Sequence, residues 1–251
     1  RFAFSRTVTR PSFIEMAPFL YQESYGSAQI RGNADLQNGY NYNIDLRYEL
    51  FEKNGDMLSI TAYYKHLKAP IERVQTLSGG SAVHSFRNAD NGMATGVEIE
   101  FRKEIVKDLR FGVNGSYMYT NVKLPEGGAY TNSQRALQGA SPYLANADLT
   151  YSPAFSNDRQ LSVALLYNLQ GPRIHSVGIS GLGDIKQQPV HTLNFTGSYR
   201  FNRRFAVKLQ VNDLLNQDIL FKQEVPTTGD KVEVERFRKG TGFEVGFSYD
   251  L

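Results

Sequence analysis

Residues 40–50 read Tyr40-Asn41-Tyr42-Asn43-Ile44-Asp45-Leu46-Arg47-Tyr48-Glu49-Leu50. Every second residue is aliphatic or aromatic, and each intervening one is an amide or a charge. Successive side chains on a β-strand point to opposite faces, so the stretch predicts a strand with one apolar and one polar face. Its length matters as much as its period. Globular strands usually run about 5–6 residues. A run of about 11 at ~3.3 Å per residue, tilted ~40°, rises about 28 Å, enough to cross an apolar band of ~25 Å.

The pattern recurs along the chain. It covers Leu109–Tyr119 and His191–Phe201 without a break. Shorter versions cover Leu58–Tyr64, Val97–Phe101, Tyr143–Tyr151, Leu161–Leu169, Phe205–Val211 and Phe243–Leu251, and a brief strand carries Phe2 and Phe4. On the nine longer alternations the apolar phase contains no Asp, Glu, Lys or Arg. Connections between the strands alternate in length. Turn-forming segments at 52–56, 103–108, 152–159 and 202–203 are short, and 10–39, 66–92, 121–142, 172–188 and 213–238 are long. Outer-membrane barrels pair short periplasmic turns with long extracellular loops. Tyrosines near strand ends fit the aromatic girdles of such walls. The fold expected is all-β: an antiparallel up-and-down transmembrane barrel wall of about ten long strands. The rivals are a soluble β-rich binding module, or a small complete outer-membrane barrel acting as channel or protease.

Composition narrows the chemistry. The 251 residues contain no Cys, which excludes disulfide scaffolds, Cys-ligated metals and thiol catalysis. The net charge of +3 comes without a basic block, so nucleic acid is not an expected partner. The four histidines, His66, His84, His175 and His191, lack metal-ligand spacing, and no nucleophile elbow or phosphate loop is present. No enzyme activity, cofactor, catalytic residue or metal site is expected. The polar phase of the strands carries interleaved charges, among them Arg47, Glu98, Glu100, Arg102, Arg110, Arg200 and Lys208, which would line a wet lumen. Loop residues able to contact a small solute are Tyr21, Tyr25, Arg31, His84, Arg87, Tyr130, Arg135, Arg173 and His175. Lys231–Arg238 alternates Val232 and Val234 with Glu233 and Glu235, and is expected to extend the last two strands as an arm.

Several segments resemble a known family. Arg10-Pro11-Ser12-Phe13 with Glu15, Pro18 and Phe19 is similar to a stretch of TonB-dependent outer-membrane receptors. So are Gly32-Asn33-Ala34-Asp35-Leu36, Asn88 followed by Gly96-Val97-Glu98, Gly139-Ala140-Ser141-Pro142-Tyr143 with Asn146, and Val211–Asn216, in the family's order. The final strand, with Phe243, Phe247, Tyr249 and Leu251 on one face, resembles a C-terminal barrel assembly signal that usually ends in Phe. The resemblance implies that 1–251 is the C-terminal part of a 22-stranded barrel. It implies a location in the outer membrane of a Gram-negative bacterium and uptake of a scarce solute: siderophore, vitamin or glycan. The implied partners are outer-membrane lipid, the remaining strands, a plug domain absent from this chain, and TonB, reached through the missing N-terminal part. The chain opens without an initiator Met or signal peptide, as expected of a processed form or fragment.

Overall fold

The computed structural model describes residues 1–22, 29–52, 54–78, 81–125, 131–155, 158–178 and 181–249. The chain passes through β1 (Phe2–Thr9), α1 (Phe13–Met16), β2 (Leu20–Tyr21), β3 (Ile30–Arg31), β4 (Gly39–Phe51), β5 (Met57–Lys68), β6 (Ile71–Ser78), β7 (Ser81–Asn88), β8 (Asn91–Val106) and β9 (Leu109–Lys123). It continues through β10 (Gln134–Arg135), β11 (Tyr143–Tyr151), β12 (Gln160–Gln170), β13 (Arg173–Ser176), β14 (Ile185–Gln187), β15 (Val190–Arg200), β16 (Phe205–Asn212), β17 (Ile219–Val225), β18 (Asp230–Phe237) and β19 (Gly242–Tyr249).

Ten strands form one antiparallel wall in the order β1-β4-β5-β8-β9-β11-β12-β15-β16-β19, with β10 added beside β9. Order in space follows order in sequence, as in an up-and-down barrel. Among the described residues β1 and β19 each pair on one side only, so the wall is an open arc. The two edges need partners in a membrane, where nothing else satisfies backbone N–H and C=O groups.

Which face is buried decides what the wall is for. The apolar stripes point out and stay open: Leu46 is 61% exposed, Val97 43%, Phe247 70%. The polar phase faces the concave side and is the more buried one, with Ser59 at 3% and Asn43 at 8%. This is the inverse of a water-soluble sandwich, whose stripes would close on each other. The largest buried apolar cluster is small: Val74, Ala89, Val122 and Leu124, with Leu137 against it, at the long-loop end of the wall. No helix among the described residues is long and apolar enough to cross a membrane, which leaves the strands to do so.

Three details differ from the sequence reading. The turn expected over 103–108 is only Lys107-Asp108, because β8 runs on to Val106. Asp108 takes a left-handed φ of 65°, and its N–H donates to Glu104 Oε1 at 3.1 Å. Lys231–Arg238 does form a hairpin arm, as β17–β18. It joins a separate sheet, β13-β14-β17-β18, and does not prolong β16 and β19. Asp213 (φ 54°) and Asn216 (φ 43°) turn the chain out of the wall just after β16. Finally, Arg6 falls on the outward phase of β1 between Phe4 and Val8, and β5, β8 and β9 run past their uncharged alternations to the outward Lys68, Lys103 and Lys123, so charge enters that face at the strand ends.

Candidate functional site

Among the described residues the wall carries a polar trough and a second one of mixed lining. The first, of about 340 Å³, is lined by Arg47, Ser59, Thr61, Glu98, Glu100 and Asn114 among others. Arg47 donates from Nε to Ser59 Oγ at 3.1 Å and pairs with Glu49 at 3.1 Å. Arg102 pairs with Glu100. An amide ladder crosses three strands, with Asn168 donating to Asn146 and Asn146 donating to Asn114. The second trough, about 360 Å³, holds Arg200 and Lys208 with Gln160, Ser198 and Ser248. Arg110 is exposed near the turn end of β9, opposite Glu104. Each residue sits where strand parity puts it.

At the opposite end the long connections fold into two further four-stranded sheets, β2-β3-β7-β6 and β13-β14-β17-β18. Two polar clusters hold this layer. Glu72 of β6 and Arg135 of β10 form an ion pair at 3.0 Å with each side chain 3% exposed. Burial pushes the Glu72 carboxyl above its usual range, against the pull of Arg135 and a hydrogen bond involving Gln138. Nearby, Arg73 donates from Nε to His84 Nδ1 at 2.7 Å, and Ser176 Oγ lies 3.3 Å from His84 Nε2. A guanidinium cannot accept, so Nδ1 is the lone-pair nitrogen and Nε2 carries the proton. In this tautomer His84 donates to Ser176.

Above these clusters lies a cavity of about 270 Å³ between the two sheets. Its walls include Glu15, Arg73, Phe86, Gln138, Arg173 and His175. Arg173 donates from Nε to Gln187 Oε1 at 2.8 Å, and the His175 ring meets Phe221 edge-on at 4.7 Å. Two guanidiniums and an imidazole share the lining with two acids, the half-buried Glu15 and the buried Glu72, and Glu72 is already paired with Arg135, so the donors that remain favour an acceptor-rich guest. Of the loop residues singled out in the sequence, Arg173 and His175 meet here. His84 and Arg135 are buried beneath as supports. Tyr21 reaches the Ile14 carbonyl at 3.4 Å, and Arg31 and Arg87 are exposed on β3 and β7. Tyr25 and Tyr130 lie outside the described residues. Arg73, Gln138 and Glu15 escaped the sequence reading. Only part of the signal for Arg73 was present: Gly79-Gly80 is a turn dipeptide, but the segments beside it, with apolar Ile71, Val74 and Leu77 and then Ala82, Val83 and Phe86, do not alternate.

A model of the outer membrane protein beta-barrel family matches residues 1–249. The chain belongs to that family. Its place is the outer membrane. Solved structures with the same wall include a mutant of the ferric enterobactin receptor PfeA from Pseudomonas aeruginosa, at 18% identity and a TM-score of 0.66, covering 99% of this chain and 37% of that one. The siderophore receptor PirA from Acinetobacter baumannii matches at 15% identity and 0.63, covering 99% and 38%. The ferric yersiniabactin uptake receptor FyuA from Yersinia pestis matches at 17% and 0.58, covering 85% and 30%. At such identities the likeness is one of fold, and this barrel chain spans only 30–38% of those receptors. No curated protein matches it.

Proposed function

We propose that this chain is the C-terminal barrel portion of a TonB-dependent receptor that imports a scarce solute, with a ferric siderophore as the leading class over vitamin or glycan. In this reading residues 1–251 supply lumen wall and loops, the plug and the other strands come from the rest of the receptor, and the chain performs no catalysis. The observation that carries it is the ordered layer over the long-loop end. A passive channel needs an open mouth, whereas these loops are folded into two sheets around a cavity lined by Arg73, Arg173, His175, Glu15 and Glu72. The loop cavity would take the solute's anionic or acceptor groups. The troughs holding Arg47, Glu98, Glu100, Arg200 and Lys208 would face the plug. Receptors named for ferric siderophores share the fold, which supports the choice of class.

The test is uptake of radiolabelled ferric siderophores by cells expressing the full-length receptor, with and without TonB. Energy-dependent uptake of one siderophore, weakened by Arg73→Ala with Arg173→Ala, is the expected result. TonB-independent flux of small solutes at a rate proportional to their concentration would overturn it in favour of a channel.

A further inference from the structure

On the outward face the cross-strand register places cations in a band at the loop end of the wall. One row, read from strand to strand, is Val8–Tyr40–Lys68–Asn91–Lys123–Gln134. The row beneath it is Arg6–Tyr42–His66–Met93–Asn121. Below that come Phe4–Ile44–Tyr64–Thr95–Tyr119, and then Phe2–Leu46–Ala62–Val97–Tyr117. Going up the wall, the same face therefore changes from aliphatic to aromatic to cationic. Arg6, His66, Lys68 and Lys123 are all exposed, and neither upper row contains an acid. Asp90, just before β8, is the acid that borders them.

The spacing is set by the sheet. Register neighbours lie ~4.8 Å apart, which puts Lys68 and Lys123 about 10 Å from each other and Arg6 about 10 Å from His66. Arg6 is held in place: its guanidinium lies 4.3 Å from the Tyr40 ring centroid and 5.6 Å from that of Tyr42. A cation over an aromatic face remains able to accept an anion from its open side. The rest of the arc has no such band. Toward their loop ends the outward phase of β11, β12, β15, β16 and β19 carries Tyr143, Leu169, His191, Val211 and Phe243, with no Lys or Arg among them.

We infer that this band binds the phosphorylated headgroup of an outer-leaflet lipid whose acyl chains lie along the aliphatic rows below. The cations lie on the outward phase toward the loop ends of their strands, where the aliphatic rows give way, so solute and plug, which would occupy the other face, are not its partners. Each Lys or Arg near an anionic lipid surface adds attraction, and several acting on one headgroup add up. The inference stands on the barrel alone and is independent of which solute is carried.

The test uses the full-length receptor in detergent micelles with diphosphoryl lipid A as probe, read by native mass spectrometry. The diphosphorylated probe should bind more tightly than the same glycolipid with both phosphates removed. The triple variant Arg6→Gln, Lys68→Gln, Lys123→Gln should weaken binding of the diphosphorylated form roughly 10- to 100-fold. Lys103→Gln, which removes an outward cation at the turn end, should leave binding within about twofold. Equal binding of the two lipids by the unmodified receptor would overturn the inference, a result that does not depend on any variant folding. So would displacement of the lipid by millimolar inorganic phosphate alone.

Discussion

A Cβ on Gly32 would lie 2.4 Å from the Ala17 carbonyl oxygen, 2.5 Å from its nitrogen and 2.8 Å from the Glu15 oxygen, all backbone atoms. Asn33 next to it receives the rest of the same clamp. Its N–H donates to Glu15 O at 2.7 Å and its Nδ2 to Phe86 O at 3.0 Å. The Gly-Asn pair thus fastens the segment around α1 to β7. Because backbone cannot swing aside as a side-chain tip can, Gly32→Ala should cost roughly 1–3 kcal/mol of local stability, seen as faster proteolysis within residues 10–22 while the wall remains intact. Glu72 makes a pH prediction. Its folded pKa is raised, so its contribution is complete below the ordinary Glu value of about 4.3 and is lost as pH rises through the folded value. Amide protection in β6 and β7, corrected for intrinsic exchange, should fall with rising pH above that value. Glu72→Gln should flatten the profile. Glu72→Ala should strand the buried Arg135 guanidinium and cost about 3–5 kcal/mol.

The turn between β4 and β5 shows how an element ends. Asp56 accepts from the Glu104 backbone N–H at 2.9 Å and from Asn54 Nδ2 at 2.9 Å, joining this turn to the far end of β8. The Glu104 N–H is the main reason its carboxyl is held below the usual range, with Asn54, Lys103 and Arg110 helping and burial opposing. A depressed folded pKa stabilises above the unfolded value and is lost as pH falls through the folded one. Exchange at residues 54–57 should therefore stay slow at neutral pH and quicken below about pH 4, while Asp56→Ala exchanges fast throughout with no acid step. The long wall strands were legible from residues because a two-residue period survives wherever one face meets lipid. The start of α1 was equally readable in Ser12-x-x-Glu15, whose reciprocal hydrogen bonds form a capping box, although the sequence reading passed over it. The loop sheets were less so. β10, β13 and β14 are two to four residues long and exist through pairing with distant strands, which no local pattern encodes. The cavity suffers the same way: Glu15, Arg73 and Arg173 meet only after three loops have folded.

The arc has its inside and outside exchanged relative to a soluble protein, and this sets what substitutions it tolerates. Val97 and Glu98 are neighbours on β8, but one faces out among Leu46, Ala62 and Tyr117, and the other lines the trough with Arg47. If the outer surface meets hydrocarbon, a charge at Val97 has no water and no partner, and near the bilayer middle it costs about 2–4 kcal/mol. A charge change at Glu98 stays in a wet, mixed-sign environment, where a cross-strand pair is worth only ~0.2–1 kcal/mol. Full-length receptor folded into phospholipid vesicles and titrated with denaturant should accordingly lose about 2–4 kcal/mol with Val97→Lys and less than about 1 kcal/mol with Glu98→Lys. In a water-soluble sandwich the exposed position would be the tolerant one and the concave position the intolerant one. The two variants together therefore report which face of the wall the membrane touches, independently of any solute.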